Sequence, residues 1–247
     1  MKRPVLFVLS LMVIGTFAIV PAVTAAGPDG TNAQEIIPAG SPDASAYIAW
    51  IKAAEAKRDW AESNRLGTEA LARYPDNATL LCMNGYSLRK AGRYEEAVSR
   101  VSEAINLDPE PVRYANRGYS YLARGDYQNA LADADRGIAL NEKYPADYSV
   151  RALADAGLGR QTEAILSIDR GLGLVPENSS EAAYFQDVLG KVLGSMGECP
   201  EAETAFQRSI ALDPTIDMPW PAFPGARTDL AVLRVICSTP VPPAGAS

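Results

Sequence analysis

The chain has 247 residues, 47% of them hydrophobic and 21% charged, an ordinary globular composition with apolar material for a sizeable core. A formal charge of −7 and a pI near 4.8 repel phosphate backbones, which argues against nucleic acid as a partner. The absence of histidine removes the usual general base, the Ser-His and Cys-His nucleophile pairs and most zinc sites.

The chain opens with Lys2 and Arg3 ahead of an apolar run from Val5 to Val20, then the small-residue stretch PAVTAAG. A basic start, a short apolar core and small residues at its end predict a secretory signal over 1–26, cut after Ala25 or Ala26. The apolar run has 16 residues, slightly short for a spanning helix, so an uncut N-terminal membrane anchor is the alternative. The expectation is an exported protein, periplasmic, secreted or at the cell surface, with no membrane insertion after cleavage. Loss of Lys2 and Arg3 leaves 21 basic against 30 acidic residues. Residues 27–43 read as a disordered linker.

Beyond residue 43 a phrase repeats. GRYEEAVSRVSEAINLDP starts at Gly92, and GDYQNALADADRGIALNE starts at Gly125. The glycine step returns at Gly159 and Gly197, and a degenerate copy, RDWAESN, starts at Arg58. The spacings from Gly92 are 33, 34 and 38, the four extra residues being expected in the loop around PENSSE. Fixed-period similarity means stacked units. Five are predicted: 44–77, 78–110, 111–144, 145–178 and 183–216.

Each unit divides into two helical phrases. Ala97, Val98, Val101, Ala104 and Ile105 fall at i, i+1, i+4, i+7 and i+8, one face of a helix. Glycine between the phrases allows a tight turn, and Asp126 is placed to cap the helix after it. Pro109, Pro176 and Pro214 close their units, whereas Pro111 and Pro145 suit the first turn of the next. Small residues recur in phase: Gly85, Gly118, Ala152 and Gly190 in the first helix, Ala97, Ala130, Ala164 and Ala202 in the second. Small side chains at a crossing let helices approach closely.

After Asp213 comes the Pro-rich PTIDMPWPAFPG, then ARTDLAVLRVIC. Ala226, Leu230, Leu233 and Cys237 share one face, which predicts a capping helix within 217–237; the tail 238–247 reads as disordered. Three cysteines are present. For Cys199 and Cys237 two readings stay open, a pair of buried small hydrophobes or a disulfide tying cap to last repeat. Cys82 reads as a free packing or groove residue. Asp133 and Asp135 point in different directions and read as solvated surface. Sequons at Asn77 and Asn178 fall in loops between units.

The in-phase pattern resembles the tetratricopeptide repeat (TPR) family. Gly85, Leu88, Ala97, Val101, Ala104 and Pro109 match its signature in the second unit, and Gly118, Tyr121, Ala130, Ala134 and Gly137 in the third, with Glu142 replacing the proline. The fifth has Gly190, Leu193, Ala202, Phe206, Ser209 and Pro214. The first departs at Ile51, Ser63 and Gly67, and the fourth carries Asp155 where an apolar residue is expected. The resemblance covers 44–216 and implies an all-α, right-handed solenoid of about five helix-turn-helix repeats with a C-terminal capping helix.

It also implies that first helices line a concave groove. The candidate groove residues are Lys52, Tyr86, Arg89, Lys90, Asn116, Tyr119, Leu153, Tyr184 and Lys191, with Val150 on the same strip. Tyrosines give contact area at little rotamer cost; equally, they read as packing between adjacent first helices. The implied function is non-catalytic: a protein interaction module holding an extended or helical peptide segment of an extracytoplasmic partner, with no cofactor. The alternative is a structural subunit of an envelope complex that stacks through its repeat ends. The family's carboxylate clamp for chaperone tails would need Lys, Asn, Asn, Lys and Arg where this chain has Cys82, Tyr86, Asn116, Ala146 and Val150. One of the five is present, which argues against a chaperone-tail receptor.

Overall fold

The computed structural model describes residues 42–215, 219, 221 and 223–238. The expected signal, the linker as far as residue 41 and the tail from 239 lie outside the described residues. Eleven helices are present among the described residues, and no strand. They form five antiparallel pairs: α1 (Ala44–Ala56) with α2 (Trp60–Arg73), α3 (Ala78–Lys90) with α4 (Tyr94–Leu107), α5 (Pro111–Ala123) with α6 (Tyr127–Leu140), α7 (Pro145–Gly157) with α8 (Gln161–Leu172), and α9 (Ser180–Met196) with α10 (Cys199–Leu212). A last helix, α11 (Ala226–Ser238), packs on α10 and α9. The second helix of each pair packs on the first helix of the next, and successive first helices touch one another. This is the solenoid of five pairs and a cap that the repeat pattern predicts.

One turn is used five times. The amides of Asp59, Arg93, Asp126, Arg160 and Glu198 donate to the carbonyls of Ala54, Leu88, Tyr121, Asp155 and Leu193, five residues back, at 2.8–3.0 Å. Such a closure needs a left-handed residue just before the donor. Gly92, Gly125, Gly159 and Gly197 supply it with φ between 73° and 82°. In the first pair the position belongs to Arg58, with φ 56°, the one non-glycine residue at positive φ among those described. The degenerate copy of the repeat therefore keeps the turn without its glycine.

The small residues set the helix spacing. A Cβ on Gly85 would lie 2.4 Å from Val101 Cγ2, on Gly118 2.6 Å from Val150 Cγ1, and on Gly190 2.6 Å from the Phe206 ring. Ala97, Ala130, Ala164 and Ala202 are fully buried. Between α2 and α3 hydrogen bonds join the first two pairs: Ser63 meets Ser87, and Asn84 Nδ2 donates to Asn64 Oδ1 at 3.1 Å beside Gly67.

Three expectations need correction. Asp133 is buried, not solvated, because Arg117 from the preceding helix clasps both carboxylate oxygens at 2.7 Å. Part of the surplus before the fifth pair is helical: α9 has 17 residues where the other first helices have 13, which carries Ser180 and Glu181 over the inner wall. At the other end, Ser238 still belongs to α11.

Candidate functional site: the inner wall of the solenoid

First helices bring a chain of aromatic and cationic groups to one face. On α3, Tyr86 meets Trp60 edge to face at 5.7 Å, and Lys90 Nζ lies 5.0 Å from the Trp60 ring. The Arg89 guanidinium sits between two rings, 5.0 Å from Tyr86 and 5.1 Å from Tyr119. A cation held over ring faces is attracted by their negative centres. Arg89 Nη2 also donates to Asn116 Oδ1 at 3.2 Å, and Asn116 Nδ2 donates to Cys82 Sγ at 3.3 Å. Further along, Tyr119 hydrogen-bonds Ser149 on α7 and meets the Tyr184 ring of α9 at 6.4 Å. Burial pushes the Tyr119 and Tyr184 hydroxyls and the Cys82 thiol above their ordinary values, so all three stay protonated near neutrality.

These groups line a cavity of about 450 Å³ bounded by Tyr86, Arg89 and Lys90 of α3, Tyr119 of α5, Ser149 of α7 and Tyr184 of α9. Pro219, from the segment between α10 and α11, also lines it. A smaller cavity of about 290 Å³ lies toward the first pair, with Lys52, Glu55, Cys82 and Asn116 among its lining residues.

The candidate residues do not form one open surface. Arg89 and Lys90 are 2% and 5% exposed, since rings and a backbone carbonyl take up their charge. Val150 faces Gly118 and is helix packing. Leu153 of α7 packs against the apolar clusters on both sides of that helix. Lys191 is held by Asp187 and by Asp229 of α11, the latter at 2.7 Å, and its Nζ lies 4.5 Å from the Phe223 ring. Cys199 and Cys237 are joined by a disulfide, Cα–Cα 6.2 Å, and Cys82 is free and buried. Sequence reasoning missed Trp60, Pro219 and Phe223. Trp60 lies on a second helix, and the other two lie beyond the repeats, so a rule built on first helices passes over them.

The stacked pairs and this inner wall define the class by fold: an all-helical solenoid of helix-turn-helix repeats, with the fold of solved TPR proteins. Residues 48–111 and, overlapping them, 82–145 match the family model described as tetratricopeptide repeat. The chain is 30% identical over 150 residues to the Hsp70-Hsp90 organizing protein of Triticum aestivum, covering 55% of this chain and 26% of that protein. It is 32% identical over 125 residues to serine/threonine-protein phosphatase 5 of Homo sapiens, covering 50% and 23%. The chain thus spans about a quarter of the length of these curated relatives. Among solved structures, a thermophilic TPR protein of Thermus thermophilus superposes with a TM-score of 0.65 at 19% identity, over 77% of this chain and 98% of that one, which shows a common fold.

Proposed function

We propose that this chain is a non-catalytic interaction module whose inner wall binds an extended peptide segment of a protein partner outside the cytoplasm. The observation that carries the reading is the buried Pro219, whose carbonyl accepts from Arg89 within the tyrosine-lined cavity. The wall thus accommodates a proline and its backbone carbonyl beside aromatic rings. Aromatic side chains suit such recognition because they offer area with few rotamers to freeze. A cavity lined by four tyrosines on the first-helix side favours groove binding over assembly through the repeat ends.

The extracytoplasmic setting rests on the basic and apolar residues of 1–26 and on the disulfide, a bond that persists in oxidising compartments. The curated relatives supply no partner, since one clamp residue of five is present, and that one, Asn116, is engaged by Arg89.

The test is affinity capture from the source organism's envelope fraction with the wild type and with Tyr86→Ala/Tyr119→Ala, followed by a peptide array of each captured protein. Captured segments that are extended, and lost with the double variant, support the reading. Equal recovery by a folded double variant removes the groove from the account.

A further inference from the structure

The segment between α10 and α11 is longer than a turn needs. Thirteen residues separate Leu212 from Ala226, whereas neighbouring helices are usually joined by about two to eight. Its described residues touch widely separated repeats. The Thr215 carbonyl accepts from Arg58 Nη2 at 2.8 Å, at the turn of the first pair. The Pro219 carbonyl accepts from Arg89 in the second pair. The Phe223 ring lies 6.4 Å from Tyr184 and 4.5 Å from Lys191 Nζ, both in the fifth pair. These contacts set Thr215 against the first pair, Pro219 against the second and Phe223 against the fifth.

We infer that this strap is an internal ligand of the groove: Pro219 and Phe223 hold the wall positions that a partner needs, so binding requires their displacement. The inference rests on the groove reading and adds the partner's chemistry. A competitor must offer Arg89 a backbone carbonyl, bring a proline to the tyrosine-lined cavity and place an aromatic ring against Tyr184 and Lys191. Prolines restrict the free segment and so reduce the entropy lost on docking. The Cys199–Cys237 bond encloses the strap in a covalent loop, so a displaced strap stays close to the wall. Its effective concentration is on the order of millimolar, which a partner has to outcompete.

The test uses the full chain and a fluorescein-labelled peptide of residues 214–225, PTIDMPWPAFPG. In a release variant, Pro219→Gly, Pro221→Gly and Phe223→Ala loosen the strap and leave α11 and the disulfide in place. Fluorescence anisotropy should show the peptide binding the release variant at least tenfold more tightly than the wild type. Adding Arg89→Ala to the release variant should abolish that binding, with thermal unfolding confirming the fold of each protein. Equal affinity for wild type and release variant overturns the inference. A folded release variant that leaves millimolar peptide unbound also overturns it. Either result is separable from failure of the groove reading, which is decided by partner capture with Tyr86→Ala/Tyr119→Ala.

Discussion

Asp147, the third residue of α7, is fully buried, and neither carboxylate oxygen has a hydrogen-bond partner among the described residues. It lies against Gly137 of α6, where a Cβ would fall 2.3 Å from the carboxyl group. Burial, and secondarily the Asp133 carboxylate, push it from an ordinary 3.8 up to about 8. Tyr119 and Tyr144 also face it, but burial raises both hydroxyls, Tyr144 to about 12, so they stay neutral. A carboxyl raised in the folded state contributes stability that is complete below 3.8 and lost as pH rises through about 8. Between pH 5 and pH 9 that loss is on the order of 4 kcal/mol, at about 1.4 kcal/mol per pH unit. Asp147→Asn keeps the shape and removes the charge. Urea unfolding at pH 5, 7 and 9 should show wild type losing about 4 kcal/mol relative to the variant. Asp187 and Glu55 are raised in the same direction, to about 6 and about 7, but occur in both proteins and cancel in the difference. A difference that changes by less than about 1 kcal/mol over that range would refute an uncompensated carboxyl at this site.

Replacing Cys199 and Cys237 by Ser removes a link across 38 residues and should lower stability by about 4 kcal/mol on the chain-entropy account, read as a lower urea midpoint. Thiol counting on unfolded, non-reduced wild type should find Cys82 alone reactive. Arg117→Ala leaves the Asp133 carboxylate, 2% exposed, with Arg136 at 3.8 Å, and should cost about 3 kcal/mol by denaturant titration. Adding Asp133→Leu to Arg117→Met should recover most of that loss. Gly118→Val should cost roughly 2 kcal/mol, because its Cβ meets Val150 at 2.6 Å. Gly125→Ala meets nothing within 4 Å, so its cost of about 1 kcal/mol would come from φ 73° alone.

The fold was legible because the repeat uses small residues where geometry leaves no other choice. Gly118 and Gly190 touch side chains of neighbouring helices, and Gly92, Gly125, Gly159 and Gly197 close left-handed turns. Both demands act within one period, so both appear as spacing. Even Arg58 was found by spacing, although its own residue type hides the turn it makes. The wall residues were legible as positions but not as a surface. Helical phase says which way Arg89 points; it does not say that Tyr86, Tyr119 and Pro219 already surround it. Asp133 was misread for the same reason, since the charge that makes its burial tolerable lies 16 residues away in the preceding helix. The strap was the least legible element because its partners lie up to 157 residues distant and no period links them. Its proline and aromatic content was visible, but those residues mark a turn and an internal ligand equally well. The contacts tell the two apart: a turn between packed helices needs no partner outside them, whereas the Pro219 carbonyl accepts from Arg89 of the second pair and the Thr215 carbonyl from Arg58 of the first.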